Sequence, residues 1–214
     1  MVKTFIVSVC VAFMIFGSIL LYCDDANAFR LDKAYGRQVI DVNKRMPVQR
    51  DNTCWLASFS VMITIAVNGN QDYAERLYTE LVDHFGNEIG TIIEAWDFIM
   101  KDSACGAEKY MRLDFFNCPD DEPRTMLKIL GALYRGTILC LCIERENVAG
   151  AHALTVYGLD KVDNNTFTLH YVDSDDGVMG MQIATVKWTN GVWRLMSGKN
   201  VGCYISQFSG INIR

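Results

Sequence analysis

The chain has 214 residues, half of them hydrophobic, and carries a formal net charge of −5 from 20 basic and 25 acidic side chains. This length suits one ordinary domain that buries a real core. The acidic balance gives no basic patch, which argues against nucleic acid as a partner.

The first 28 residues predict a secretory signal peptide. An apolar run over residues 5–21 is followed by Ala26-Asn27-Ala28, a small-x-small cleavage signal. The alternatives are an uncleaved membrane anchor, for which the run is near the lower length limit, and lipidation at Cys23. We expect a single mature domain over residues 29–214, secreted or periplasmic in a bacterium, with no further membrane-spanning stretch.

Four helices are predicted in the first part of the mature chain. Residues 54–67 are apolar nearly all round, which is typical of a buried helix, and Asn68-Gly69 ends it. Three further helices are expected at about 71–85, 88–101 and 122–135. Residues 29–53 are expected to be irregular.

Strands are predicted after residue 136, where the hydrophobic period changes. They are expected at 137–143, 151–159, 166–173, 180–188, 191–197 and near 202–206. Asn190-Gly191 is a strong signal for a tight hairpin turn. Helices first and antiparallel strands second predict an α+β fold, with an active site in the cleft between the two halves.

Cys54 is the candidate nucleophile because it stands where the buried helix begins. A helix N-terminus and a nearby imidazolium both favour the thiolate, which is the form that attacks. The alternative is a buried structural cysteine or one half of a disulfide.

His152 is the candidate general base. Small neighbours in Gly150-Ala151-His152-Ala153 leave its imidazole room at the rim of an apolar strand. A hairpin around 163–165 brings the start of this strand beside the end of the next, where Asp173 can orient the imidazole and Asp175 can support it. The alternatives are a core histidine and a solvated acidic turn. A calcium loop is also possible, but it lacks the last glutamate of an EF-hand.

The remaining candidates would replace or complete this triad. His170 is the backup base, and His84 is interpreted as a surface residue. The candidate oxyanion donors are Lys44 and Gln49, which precede the nucleophile and would act together with its backbone N–H.

Six of the eight cysteines follow the leader. Cys105 and Cys118 lie in a loop-like stretch and form the most plausible bridge. Cys140 and Cys142 alternate on a strand and could each reach Cys203, or all three are small buried hydrophobic residues. No Cys-x-x-Cys pair or histidine cluster indicates a metal site, and no cofactor is expected.

Three short segments resemble parts of a known family. They are Asp41-Val42-Asn43-Lys44, residues 152–160, and Tyr171-Val172-Asp173-Ser174-Asp175 with Gly180-Met181. Together they resemble the streptococcal immunoglobulin-degrading cysteine endopeptidases, the IdeS or Mac family. Trp55 departs from that family, which has glycine after the nucleophile, and is closer to papain. The chain is also much shorter than the streptococcal enzymes.

The resemblance implies a papain-like fold and assigns roles to residues of this chain. Lys44 becomes the favoured oxyanion donor over Gln49, and Asp173 becomes the histidine partner with Asp175 in support. The resemblance supports the fold and triad of this chain more strongly than it supports an immunoglobulin substrate, because the chain is shorter than the streptococcal enzymes.

The sequence therefore predicts a secreted papain-like cysteine endopeptidase, a virulence factor acting on a protein substrate such as host immunoglobulin. One alternative is a transglutaminase-like or glutamine-deamidating toxin that uses the same triad. The other is a catalytically inactive secreted binding module with an unreactive or disulfide-bonded Cys54. A monomer is expected, with a protein substrate as partner and neither nucleic acid nor membrane.

Overall fold

A helix buried from its first residue to its last but one lies against an antiparallel sheet, and these two elements form the centre of the fold. The computed structural model describes residues 32–36, 46–101, 113–119, 122–176 and 181–213. The predicted signal peptide, Lys44 and Cys105 lie outside these residues.

The described residues form four helices: α1 Cys54–Ala66, α2 Gln71–Phe85, α3 Ile92–Lys101 and α4 Thr125–Tyr134. Helix α1 is buried from its first residue to Ile65, as an all-round apolar helix must be. The other three bury one face each. None of the helices in this part of the chain is long and apolar enough to cross a membrane.

Helix α3 begins later than predicted, at Ile92 rather than 88. Thr91 and Glu94 cap it reciprocally. The Glu94 carboxylate accepts the Thr91 backbone N–H at 2.7 Å, and the Thr91 hydroxyl accepts the Glu94 N–H at 3.4 Å. This capping box satisfies backbone donors that a helix start leaves without partners, so it fixes where the helix begins.

The described strands are β1 Lys33–Tyr35, β2 Leu113–Pro119, β3 Ile138–Glu144, β4 Ala151–Lys161, β5 Thr166–Asp173, β6 Met181–Thr189, β7 Val192–Leu195 and β8 Tyr204–Ile213. Every pairing is antiparallel. Strand β4 pairs with both β3 and β5, and this closes β3 to β8 into a ring. Strands β1 and β2 add to the ring at β4 and β8.

Three strand predictions need correction. Residues 29–53 were expected to be irregular, but Lys33–Tyr35 pairs with β4. The stretch around Cys118 was expected to be a loop, but Leu113–Pro119 pairs with β8 along its full length. Strand β8 extends to Ile213 instead of ending near 206, because it lies between β2 and β3. The mixed helical and antiparallel architecture itself agrees with the α+β prediction.

Strand β4 is buried on both faces, and this places the candidate site. Ala153 and Tyr157 share a hydrophobic cluster with α1, whereas Leu154 and Val156 pair with leucines of β3 on the other face. The Ser58 hydroxyl of α1 also donates to the Ala153 carbonyl at 3.4 Å. The N-terminus of α1 therefore lies beside the start of β4.

Candidate active site

Cys54 is the first residue of α1 and lines a cleft with a volume of about 370 Å³. Thr53, which precedes it, makes no capping bond to the helix. Its hydroxyl donates to the Arg50 carbonyl at 2.6 Å and is paired with the Tyr78 hydroxyl at 2.6 Å. The N–H groups of a first helical turn have no acceptor within the helix, so the positive end of the helix dipole lies at the thiol.

His152 lies beside Asp173, as the hairpin argument predicted, and lines the same cleft as Cys54. Its Nε2 is 2.7 Å from Asp173 Oδ1, and the side chains are 25% and 1% exposed. The imidazole lines the cleft together with Cys54, whose charge also acts on it. Because Nε2 is directed at the carboxylate, Nδ1 is the ring nitrogen that remains for the thiol.

The electrostatics of His152 and Asp173 favour the charged form of each. Burial alone would lower the pKa of His152, but the hydrogen bond and charge of Asp173, together with the interaction with Cys54, raise the pKa to about 10. Burial would raise the pKa of Asp173, but the His152 bond and charge, with N–H donors from Asp175 and Asn200, lower it to about 2. At neutral pH the pair is therefore an imidazolium and a carboxylate.

Asp173 is buried, and both of its carboxylate oxygens have partners. Oδ1 accepts from His152 and from the Asp175 backbone N–H at 3.0 Å. Oδ2 accepts from Asn200 Nδ2 at 3.1 Å and lies 3.7 Å from Lys199 Nζ. Lys199 and Asn200 were not predicted, because they follow β7 in a loop that no sequence pattern linked to the triad.

Gln49 also lines the cleft, but its amide is occupied. Nε2 donates to the Asp51 carbonyl at 3.0 Å and to Asp175 Oδ1 at 3.2 Å, while Oε1 accepts from the Ser174 hydroxyl at 2.8 Å. Both amide hydrogens thus point at protein acceptors rather than at an oxyanion. Through these hydrogen bonds, Gln49 links the segment before Cys54 to the segment after Asp173.

Asp175 supports the site less directly than predicted. Its side chain is about half exposed and is bound by Gln49 and by Lys199, whose Nζ lies 3.2 Å from Oδ2. Its contribution to Asp173 is the backbone N–H. Lys44, the other predicted oxyanion donor, lies outside the described residues. The Cys54 backbone N–H, the donor predicted to act with them, does lie among the described residues.

The other two histidines lie away from the cleft. His170 Nε2 is 3.1 Å from Asp160 Oδ2, and its ring packs near Tyr35 and Tyr157. His84 is exposed near the end of α2, as predicted, and stacks on Phe98. Of the three histidines, only His152 lines the cleft.

The predicted disulfides are not formed. Cys54, Cys118, Cys140, Cys142 and Cys203 are all free thiols. Cys118 is therefore not bridged to Cys105, which lies outside the described residues, and Cys203 is bridged to neither cysteine of β3. The alternative interpretation holds for Cys140, Cys142 and Cys203, which are small buried residues at 0%, 9% and 7% exposure.

The rest of the cleft is mainly apolar. Its larger hydrophobic side chains are Trp55, Ile89, Ile143 and Val148. Ile89 and Val148 are more than half exposed, so apolar surface is available beside the thiol. Among the described residues, no three His, Cys, Asp or Glu side chains are grouped so as to hold a metal ion.

No protein-family model matches the sequence, and no curated protein matches it. The functional interpretation therefore rests on the geometry of the cleft.

Proposed function

We propose that this protein is a cysteine hydrolase of amide bonds, and specifically a papain-like endopeptidase. One observation carries the proposal: a single imidazole bonds the buried carboxylate of Asp173 and shares a cleft with Cys54 at the start of a helix. This is the arrangement of nucleophile, base and orienting group that thiol hydrolases require. The resemblance of the His152 and Asp173 segments to the IdeS or Mac family supports the same interpretation.

The geometry supports a two-step reaction. The Cys54 thiolate attacks a substrate carbonyl carbon, and the backbone N–H of Cys54 donates to the oxygen that becomes negative. His152 gives its proton to the leaving amine as the C–N bond breaks, which leaves an acyl thioester on Cys54. His152 then takes a proton from water, the resulting hydroxide attacks the thioester, and the acid product leaves as Cys54 regains its starting form. Asp173 holds the imidazole in the required tautomer throughout.

The proposed substrate is a polypeptide outside the cell. The predicted signal peptide implies export, and the family resemblance implies a host protein such as immunoglobulin. Apolar surface at Ile89 and Val148 beside the thiol gives a substrate side chain a place to bind.

The first experiment is the pH profile of Cys54 alkylation by a small haloacetamide, read for each cysteine by mass spectrometry. Wild type should label rapidly well below the free-thiol pKa of about 8.5, and His152→Ala should label more slowly. His170→Ala is the matched control, because His170 also binds an aspartate but lies outside the cleft. If Cys54 labels slowly, and at the same rate in wild type and His152→Ala, the hydrolase proposal fails. The remaining interpretation is then an exported binding module.

The second experiment separates the enzyme classes. Wild type and Cys54→Ser are incubated with candidate proteins that include immunoglobulin, and the products are identified by mass spectrometry. New chain termini made only by wild type support the endopeptidase. Glutamine converted to glutamate, or cross-linked products, on otherwise intact chains would instead assign the triad to a deamidase or transglutaminase.

A further inference from the structure

A short loop between β7 and β8 forms part of the cleft. Gly198 and Gly202 bracket it, with φ of 84° and 87°. These left-handed conformations suit glycine and set the path of the backbone between them. We call residues 198–202 the glycine-bracketed loop. Its Asn200 lines the same cleft as Cys54 and His152.

The close fit of Gly198 shows that the loop is held against the ring. A Cβ at this position would lie 3.0 Å from the Ile183 carbonyl oxygen of β6. The Ser197 hydroxyl, which precedes the loop, also accepts the Thr185 backbone N–H of β6 at 2.8 Å. The loop is thus anchored on a strand of the ring before it reaches the cleft.

Asn200 holds the oxygen of Asp173 that His152 does not use. Its Nδ2 donates to Oδ2 at 3.1 Å, while His152 Nε2 is 2.7 Å from Oδ1. A carboxylate held at both oxygens cannot rotate about its χ2 torsion without breaking one of these bonds. Asn200 therefore fixes the plane in which Oδ1 faces the imidazole.

Lys199 adds a charge to the same face. Its Nζ lies 3.7 Å from Asp173 Oδ2 and 3.2 Å from Asp175 Oδ2. Two carboxylates so close together repel each other, and one shared cation offsets this repulsion. The loop thus supplies one neutral donor with fixed geometry and one positive charge, and both are directed at Asp173.

We propose that Asn200 is a positioning residue for the triad, which holds Asp173 in the orientation that keeps the His152 imidazole directed at Cys54. This inference rests on the proposed thiol hydrolase chemistry. Under this inference, a loop outside the three triad segments helps to hold the site in its reactive geometry.

The test compares Asn200→Ala and Asn200→Asp with Val201→Ala. The aspartate variant keeps the shape of Asn200 but replaces its donor with an acceptor, so a space-filling role would tolerate it. Val201 is 52% exposed in the same loop and does not line the cleft, which makes it the matched control. All variants are made in the full-length chain.

The first readout is the low-field proton signal of His152 Nε2–H in protein labelled with ¹⁵N-histidine, assigned with His152→Ala. Both Asn200 variants should shift or broaden this signal, whereas Val201→Ala should keep it. The carbon-bound ring protons of His170, which binds Asp160 farther along the same two strands, should be unchanged in all variants and so report an intact fold.

The second readout is Cys54 alkylation at neutral pH. Removing a donor from a buried carboxylate should slow alkylation about tenfold in both Asn200 variants, with no change in Val201→Ala.

The inference would be overturned if both Asn200 variants kept the wild-type His152 signal and the wild-type alkylation rate. It would also be overturned if wild type itself lacked the signal. If wild type shows the signal but labels slowly, the hydrolase proposal fails, and the signal in the Asn200 variants still decides whether Asn200 positions Asp173.

Discussion

Gln49 binds Asp175 through a 3.2 Å hydrogen bond between its side-chain amide and the carboxylate, although 126 positions separate the two residues. Two more bonds join the same segments. The Gln49 backbone N–H donates to the Ser174 carbonyl at 3.2 Å, and the Ser174 hydroxyl donates to Gln49 Oε1 at 2.8 Å. The segment that leads into Cys54 is thus fastened to the segment that leaves Asp173.

Gln49→Ala should remove the hydrogen bonds that the Gln49 side chain makes with Ser174 and Asp175. We expect the free energy of unfolding to fall by about 1 kcal/mol, and Cys54 alkylation to slow, because the thiol loses its fixed distance from His152. Urea unfolding and alkylation measure the two effects. Gln71→Ala is the control, since Gln71 bonds only along the surface of α2 to Glu75. A Gln49 variant that loses turnover but keeps normal alkylation would instead make Gln49 an oxyanion donor, since alkylation forms no oxyanion.

The titration of His152 should show both of its partners. In wild type the ring protons should titrate with a pKa of about 10, above the ordinary value of 6.5. In Cys54→Ala the pKa should fall, because the favourable interaction of the imidazolium with Cys54 is lost, but it should stay above 6.5 because Asp173 remains. In Asp173→Asn it should fall as well. The measurement is an NMR titration of the carbon-bound ring protons, and equal values in all three proteins would contradict the proposed coupling.

The stabilisation that Asp173 contributes should be lost at acid pH. Its pKa is lowered from 3.8 to about 2 in the folded state, so the folded protein binds this proton less tightly than the unfolded chain. The stabilisation is therefore complete above about pH 4 and is lost as the pH falls through 2. We expect the free energy of unfolding to drop across this window in wild type, and the drop to be smaller in Asp173→Asn. Urea titrations at stepped pH test this, and parallel curves would show that Asp173 is not the group responsible.

Asp51 should tolerate only certain replacements. Its φ of 47° is left-handed, its carboxylate accepts from Asn87 Nδ2 at 3.0 Å, and its carbonyl accepts from Gln49. Asn adopts this conformation readily, so Asp51→Asn should be nearly neutral. Asp51→Val should lower the free energy of unfolding by about 1–3 kcal/mol and slow Cys54 alkylation. Equal stability of the two variants would show that the backbone conformation is not strained.

Gly90 and Gly131 should respond in opposite ways to alanine. A Cβ on Gly90 would collide with the Trp55 indole, so Gly90→Ala should displace the residue next to the nucleophile and weaken both stability and Cys54 alkylation. In Gly131, inside α4, the nearest atom to a Cβ is the end of Arg135, 3.5 Å away. Gly131→Ala should therefore raise the free energy of unfolding by about 0.5–1 kcal/mol. Thermal unfolding of both variants tests the contrast.

The sequence predicted best what depends on local pattern. The all-round apolar run gave α1, and Asn190-Gly191 gave the β6–β7 turn, in which both residues have positive φ. The placement of His152 beside Asp173 also followed from a local feature, because a short hairpin joins their strands. The geometry of this pair is confirmed, whereas its chemistry stays a prediction.

The sequence did not predict contacts between residues that lie far apart along the chain. Strand β2 looked like a loop because its pairing partner, β8, lies far along the chain. No sequence pattern indicated Asn200 for the same reason, because the ring, and not a spacing along the chain, brings it to its partner Asp173. Alternation on one strand placed Cys140 and Cys142 together, but a disulfide also needs a partner cysteine at the right distance, which a sequence does not show.

The closed ring has a consequence for when the protein becomes reactive. His152 and Asp173 belong to neighbouring strands of the ring, whereas Cys54 belongs to a helix that packs against it. The thiol thus meets its proposed base only after helix and ring have docked, and an unfolded chain carries an ordinary cysteine. Folding itself therefore controls when the proposed thiol chemistry can begin, because a molecule that has not finished assembling lacks the pair.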